Sequence, residues 1–193
     1  MKEGVRALGV AESYRGEDGE SYLAGTVVRA SRVLDGIVYT TATVGGTDAT
    51  DAVVRLYKNA DREDLRLVMV SGVALSWYNL VDLCAVHDAT ELPVLSVTYE
   101  ESDGLRDAVK KEFEGDAAEE RLSVYDSLPP RRRLDNDGNE LYVRSVGVED
   151  ERADEWVHGF THDGRPEPLR VARLAARGLL NHEEGNSQGG ATP

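Results

Sequence analysis

Lysine is nearly missing from this chain. Of 22 basic residues among 193, only Lys2, Lys58, Lys110 and Lys111 are lysines, and 36 acids bring the net charge to −14. An acid-rich, lysine-poor composition is what a salt-rich cytoplasm selects: net charge keeps the surface solvated, and molar salt screens self-repulsion within about 3 Å. Cysteine occurs once, as Cys84, which excludes an intramolecular disulfide and fits a reducing compartment. There is no charged-then-apolar leader, and no apolar run approaches the roughly 20 residues of a membrane-spanning helix. A cytoplasmic protein without a membrane partner is therefore expected. Walker A, paired CxxC, HExxH and GxSxG sequences are all absent, and the four histidines form no metal-ligand pattern. Aromatic residues are sparse at 6 %, but 40 % hydrophobic residues suffice for the core of one domain.

What is present is unevenly charged. Residues 129–181 hold nine arginines and ten acids, so almost all of the excess negative charge lies elsewhere. A face for a polyanion is expected in this last third, where Arg131-Arg132-Arg133 follows Pro129-Pro130. A solvated strand edge explains that triplet about as well as phosphate contact does.

The pattern of apolar residues gives an α/β order. Val5–Val10, Tyr22–Ala30 and Ile37–Val44 read as strands, with a loop over Ser13–Ser21 and a turn at Leu34-Asp35-Gly36, so an antiparallel meander opens the chain. Val53, Leu56, Tyr57 and Ala60 give Asp48–Ala60 one apolar stripe at helical spacing. Leu65–Val70 and Pro93–Thr98 read as strands buried on both faces, joined by a mostly apolar helix over Ser76–Thr90, which implies parallel pairing. Helices follow over Ser102–Phe113 and Asp116–Asp126, then a hairpin of Arg131–Leu134 and Leu141–Val146 turning at Asn136-Asp137-Gly138. Glu149–Phe160 and a helix from Pro166-Glu167-Pro168 to about Leu179 complete a domain over 1–182, and 183–193 reads as a disordered tail. The expected fold is a ribonuclease H-like α/β domain. Its sheet is mixed and five-stranded, three antiparallel strands coming first, with helices on both faces and a small added hairpin. A doubly wound fold would need a helix between the first strands.

Ligands of such sheets bind beyond the carboxyl ends of the parallel strands, so polar residues near those ends are the candidates. Glu12 follows the first strand, Asp48 and Asp51 open the first helix, and Ser71-Gly72 ends the fourth strand. On the expected second helix Asn79 and Asp82 are three apart and share a face. Oxygen ligands gathered there could hold Mg²⁺ for phosphodiester hydrolysis. Each has a plainer role. Asp48 suits a helix N-cap and Asp51 the first turn, and these are the favoured readings for both. Asp82, among Leu80, Val81, Leu83 and Cys84, is costly unless paired, which makes it the stronger candidate. Asn79 could bridge backbone groups. Gly45-Gly46-Thr47 ahead of a helix could cradle a phosphate, but a tight turn is the favoured reading. Cys84 reads as core.

Several stretches together resemble the archaeal endonuclease dU family, which is related to endonuclease V. They are Arg6-Ala7-Leu8-Gly9-Val10, Asp48-Ala49-Thr50-Asp51, Met69-Val70-Ser71-Gly72, Tyr78-Asn79-Leu80-Val81-Asp82, Leu92-Pro93-Val94 and Pro166-Glu167-Pro168-Leu169-Arg170-Val171-Ala172, the last being the most specific. The resemblance implies a ribonuclease H-like fold and Mg²⁺-dependent nicking of DNA at deoxyuridine. It implies Glu12, Asp48 and Asp82 as metal ligands and catalytic groups, Asn79 as an orienting residue, and Arg170, Arg131, Arg132 and Arg133 on phosphates. The family pattern carries acids where this chain has Ala11-Glu12, Gly45-Gly46 and Ser71-Gly72, and a histidine where Arg173 stands. The alternative is a catalytically degenerate nucleic-acid-binding or accessory protein of the same fold, using Trp77 and Tyr78 to stack on bases.

Overall fold

The computed structural model describes residues 1–102, 104–136 and 138–189. Three strands come first: β1 (Arg6–Ser13), β2 (Glu20–Arg29) and β3 (Leu34–Thr43). Helix α1 (Ala49–Ala60) and strand β4 (Leu65–Val70) follow, then a two-stranded ribbon of β5 (Ala74–Leu75) and β6 (Asn79–Leu80), helix α2 (Leu83–Thr90) and strand β7 (Val94–Thr98). Helices α3 (Arg106–Glu112) and α4 (Gly115–Ser127), hairpin β8 (Arg132–Asn136) with β9 (Asn139–Val146), and helices α5 (Asp150–Phe160) and α6 (Glu167–Gly189) complete the order.

The main sheet runs β3-β2-β1-β4-β7-β9-β8. The meander is antiparallel, β1–β4 and β4–β7 are parallel, and β9 returns antiparallel to β7. The sheet therefore has seven strands rather than the expected five. The hairpin is not an appendage: Leu141 and Val143 of β9 are buried and continue the apolar row of Leu95 and Val97. One face packs under α1 and α2 through Leu8, Val10, Val53, Leu56, Val68, Leu83 and Val86. The other is covered by Trp156, Val157 and Phe160 of α5 and Leu169 of α6. Buried Leu169, Ala172, Ala176 and Leu180 recur at three- and four-residue spacing, giving α6 one apolar stripe.

Three boundaries differ from the sequence reading. The Ser76–Thr90 helix is absent over 76–82, where Ser76, Trp77 and Tyr78 all have positive φ (50°, 57° and 59°) and turn the ribbon. The first hairpin turns before Leu34 rather than at Leu34-Asp35-Gly36, with Arg32 left-handed (φ 67°) and the Arg32 N–H on the Arg29 carbonyl. α6 continues past Leu179 to Gly189, and the loop after β1 meets it there: Arg15 donates to Asn181 Oδ1 and pairs with Glu184 at 2.8 Å. Of the expected tail, 190–193 lies outside the described residues. So do Asp103 of the expected third helix and Asp137 of the hairpin turn.

At the amino end of the strands, Asp35 sits between Arg6 (2.7 Å) and Arg29 (2.6 Å), with Arg62 and Asp64 beside them. Hydrogen bonds from Arg29 and Arg6 pull the Asp35 carboxyl down to about 2, from a usual 3.8. A depressed folded pKa gives stability that is present above the unfolded value and lost as pH falls through the folded one. The melting-temperature gap between wild type and Asp35→Asn is expected to be widest above pH 4 and to close between pH 4 and 2. A gap independent of pH would show that the charge is not involved.

Candidate nucleic-acid interface at the carboxyl rim

β1, β4 and β7 end side by side. The Ser71 N–H, just past β4, donates to the Val10 carbonyl of β1 (3.0 Å), and Val70 pairs with Ser96 of β7. Gly72, at φ 87°, turns the chain away, and a Cβ there would meet the Thr98 methyl at 3.3 Å. Beyond these ends lies a cleft of about 520 Å³, lined by Ser71, Ser96, Thr98, Tyr99 and five arginines: Arg131, Arg144, Arg165, Arg173 and Arg177. Among the described residues, Glu100 is the one acid in that lining.

Two of the arginines are fixed by the protein. Arg131 donates to Thr98 Oγ1 (3.0 Å) and to the Glu100 and Ser102 carbonyls, with its guanidinium 4.1 Å from the Tyr142 ring centroid. Arg144 is buried, donates to the Pro129 carbonyl, and lies 5.4 Å from the Tyr125 ring centroid. The other three are not held by carboxylates. Arg165 lies over the Tyr99 ring at 4.4 Å, while Arg173 and Arg177 are exposed on α6, four residues apart on one helix face. Among the described residues, no acid stands within 4.0 Å of any of the three. The Tyr99 hydroxyl is shut from solvent without a hydrogen-bond partner, and burial pushes its pKa up to about 12.

Glu12 is the last residue but one of β1 rather than part of a loop, and shares a small side pocket with Ser13, Tyr14, Arg173 and Arg177. Its Oε2 is buried and unpartnered. Burial raises the carboxyl above its usual range, against the opposing pull of its own backbone N–H and of Arg173.

The other expected ligands are engaged elsewhere. Asp48 precedes α1 but its side chain does not cap it. Instead it accepts from the Thr43 N–H (3.0 Å), Thr43 Oγ1 (3.1 Å) and Asn79 Nδ2 (2.6 Å). Burial alone would raise this carboxyl, but the bonds from Asn79 and Thr43 outweigh it and hold it low. The cap of α1 is tertiary: fully buried Asn79 accepts from the Ala49 N–H (2.8 Å) and donates to the Thr43 carbonyl (2.8 Å). Asp82 is the N-cap of α2, its Oδ1 accepting from the Cys84 and Ala85 N–H groups at 2.9 and 3.1 Å. Asn79 and Asp82 thus share no helix face, since one is in β6 and the other caps α2. Asp51 lies exposed in the first turn of α1.

Among the described residues, no three His, Cys, Asp or Glu side chains stand close enough to hold a metal. Glu12, Asp48 and Asp82 therefore do not form a three-carboxylate set in this geometry. The rim offers Glu12 and Glu100 as carboxylates, with hydroxyls and five guanidinium groups whose positive charge opposes a cation.

The arginine triplet divides. Arg131 lines the cleft, whereas Arg132 pairs with Asp150 and Asp154, and Arg133 with Glu140. Arg170 pairs with Glu167 (2.6 Å) and does not line the cleft. Trp77 packs with Tyr78 and Phe113, the three ring centroids 5.7 to 6.1 Å apart, and its ring lies where a Cβ on Gly45 would be (2.8 Å). Gly45 is left-handed (φ 67°) and its N–H donates to the Ser76 carbonyl, so the Gly45-Gly46 pair is a turn. Arg144, Arg165 and Arg177 were not singled out from the sequence. The available signal was the four-residue spacing of Arg173 and Arg177, off the apolar stripe of Leu169, Ala172, Ala176 and Leu180.

The fold is that of endonuclease V. A Ciona intestinalis endonuclease V, solved with a DNA 24mer containing inosine, superposes with a TM-score of 0.60 at 13 % identity, covering 92 % of this chain and 86 % of that one. A protein of unknown function from Archaeoglobus fulgidus superposes with a TM-score of 0.79 at 24 % identity, over 91 % of this chain and 98 % of that one. In sequence, a UPF0215 protein from Pyrobaculum calidifontis is 35 % identical over 178 residues, 91 % of this chain and 97 % of its own. The family model described as Endonuclease dU matches residues 3–180, and the chain belongs to that family.

Proposed function

We propose that this protein binds DNA, seating the sugar–phosphate backbone of one strand in the arginine-lined cleft at the carboxyl rim. The strand order β3-β2-β1-β4-β7 is read as a ribonuclease H-like core that serves as the platform. The observation that carries the reading is the charge of the cleft: a chain of net −14 gathers, among the described residues, five arginines and one acid around a single cavity. A Ciona endonuclease V of the same fold is described in complex with DNA, which supports the choice of ligand.

The family resemblance also implies Mg²⁺-dependent nicking at deoxyuridine. The donor set favours the binding reading over it, because Asp82 caps a helix, Asp48 serves the Thr43–Asn79 network, and Ser71 and Arg173 stand at the rim. Binding of a single-stranded oligonucleotide is expected to weaken with salt, with a log–log slope of up to about −3.5 if all five arginines meet phosphates. Fluorescence anisotropy across a salt series measures this. A slope near zero, or no binding, would remove the proposal. Cleavage of a deoxyuridine duplex in Mg²⁺ that Glu12→Gln or Asp48→Ala abolishes would restore the nuclease reading.

A further inference from the structure

Arginines elsewhere in this chain are mostly matched to acids. Arg6, Arg29 and Arg62 share Asp35 and Asp64, Arg106 meets Asp126, Arg152 meets Glu155, and Arg170 meets Glu167. Of the arginines with no carboxylate within 4.0 Å among the described residues, Arg165, Arg173 and Arg177 stand together at one wall of the cleft. Glu12 faces Arg173 and Arg177 from β1 through the adjoining side pocket. Three guanidinium charges set against one carboxylate leave close to two positive charges uncompensated.

We infer that Arg165, Arg173 and Arg177 form a seat for the terminal phosphate of a DNA strand, filled without a metal ion. The inference rests on the strand-binding reading and adds which part of the strand is recognised. An internal phosphodiester brings one negative charge. A terminal phosphomonoester brings close to two and a third free oxygen, so it balances the seat and accepts from more of the guanidinium donors. Size points the same way, because about 520 Å³ is the volume of a site for one small ligand, not of a groove along a duplex. The unpartnered Tyr99 hydroxyl lies in the same wall, under Arg165.

The test uses one short single-stranded oligonucleotide in three forms: 5′-phosphorylated, 3′-phosphorylated, and hydroxyl at both ends. Each carries a fluorophore internally, and each is titrated with the full chain in Mg²⁺ and in EDTA. One phosphorylated form is expected to bind about tenfold tighter than the hydroxyl form, equally in both buffers. R173Q/R177Q, which alters two exposed side chains, is expected to bind the three forms with one common affinity, no higher than that of wild type for the hydroxyl strand, while melting like wild type. Equal affinity of the three forms for wild type would overturn the seat but leave strand binding standing, whereas no binding of any form would overturn both. A phosphate preference that persists in R173Q/R177Q, or that vanishes in EDTA, would also overturn it. Inorganic phosphate and a mononucleotide serve as competitors. Displacement of the phosphorylated strand only at a large excess of either supports a strand end. A mononucleotide binding as tightly as that strand would make the ligand a free nucleotide and overturn the assignment to DNA.

Discussion

Asn79→Ala is expected to cost the chain about 3 to 5 kcal/mol. The side chain is fully buried and joins three segments: it accepts from the first N–H of α1, donates to the last carbonyl of β3's run at Thr43, and donates to Asp48. Removing it strands the N–H of fully buried Ala49 and takes a donor from the Asp48 carboxylate, while the Thr43 carbonyl keeps the Gly46 N–H. Each orphaned group carries a penalty of about 1 to 3 kcal/mol, and more where a charged partner is involved. Asn79→Asp separates the cap from the packing, because the two side chains have nearly the same shape. An introduced carboxylate 2.6 Å from Asp48 cannot ionise cheaply beside it. Its folded pKa therefore rises above the unfolded value of about 3.9. A raised carboxyl binds more protons in the folded state, so stability falls as pH climbs through that window and levels off above the folded pKa. Urea denaturation of wild type and both variants at pH 4, 5.5 and 7 reads this out. The Asn79→Asp deficit should grow with pH more steeply than the Asn79→Ala deficit, which follows only the loss of one hydrogen bond to the Asp48 carboxylate. Loss of less than about 1 kcal/mol in Asn79→Ala would mean that the α1 cap is dispensable.

Asn79 also shows how far local pattern carries. The stretch from Ser76 to Thr90 contains neither glycine nor proline and is mostly apolar, so periodicity alone gives one helix. Three successive non-glycine residues in the left-handed region cost roughly 1 to 2 kcal/mol each, and no propensity announces them. They are held by tertiary contacts: Trp77 against Gly45 and Phe113, and the Gly45 N–H on the Ser76 carbonyl. With the helix broken there, Asn79 moved into β6 and Asp82 became a cap. The physical worry about Asp82, a carboxylate among apolar neighbours, was sound. Its remedy was a pair of backbone N–H groups rather than a cation. The meander, α1 and α5 were legible because one face of each is apolar at the right period, and β4 and β7 because each is a near-continuous apolar run. The place of β9 beside β7 was not, since pairing between distant strands leaves no local mark.

The cleft was legible only by its ingredients. The last third of the chain was marked by its arginines, and Arg131 does reach the cavity, yet its neighbours Arg132 and Arg133 are spent on Asp150, Asp154 and Glu140. Which cations stay unpaired depends on where the acids fall in space. In a chain with 36 acids that is the informative property, and only coordinates give it.

Gly9→Ala is expected to destabilise by about 3 kcal/mol, at the upper end of what overpacking costs. A Cβ on Gly9 would stand 2.3 Å from the carbonyl carbon and 2.4 Å from the oxygen of Pro168. Those are backbone atoms, so no side-chain rotation relieves the overlap. The same carbonyl accepts from buried Thr26 Oγ1 at 2.8 Å, which pins the first turn of α6 onto β1 and β2. To admit one methyl group, α6 must lift from the sheet, and Arg173 and Arg177 ride on that helix. Stability and strand binding should therefore fall together, a coupling that a purely local clash would not produce. Gly178→Ala is the matched control. It lies on the same helix, a Cβ there meets nothing within 4 Å, and trading glycine for alanine inside a helix should stabilise by about 0.5 to 1 kcal/mol. Opposite signs in urea denaturation, with weaker oligonucleotide binding in Gly9→Ala alone, would establish that the seat of α6 on β1 sets the cleft. Gly9→Ala binding with wild-type affinity would show that the arginines keep their positions without it.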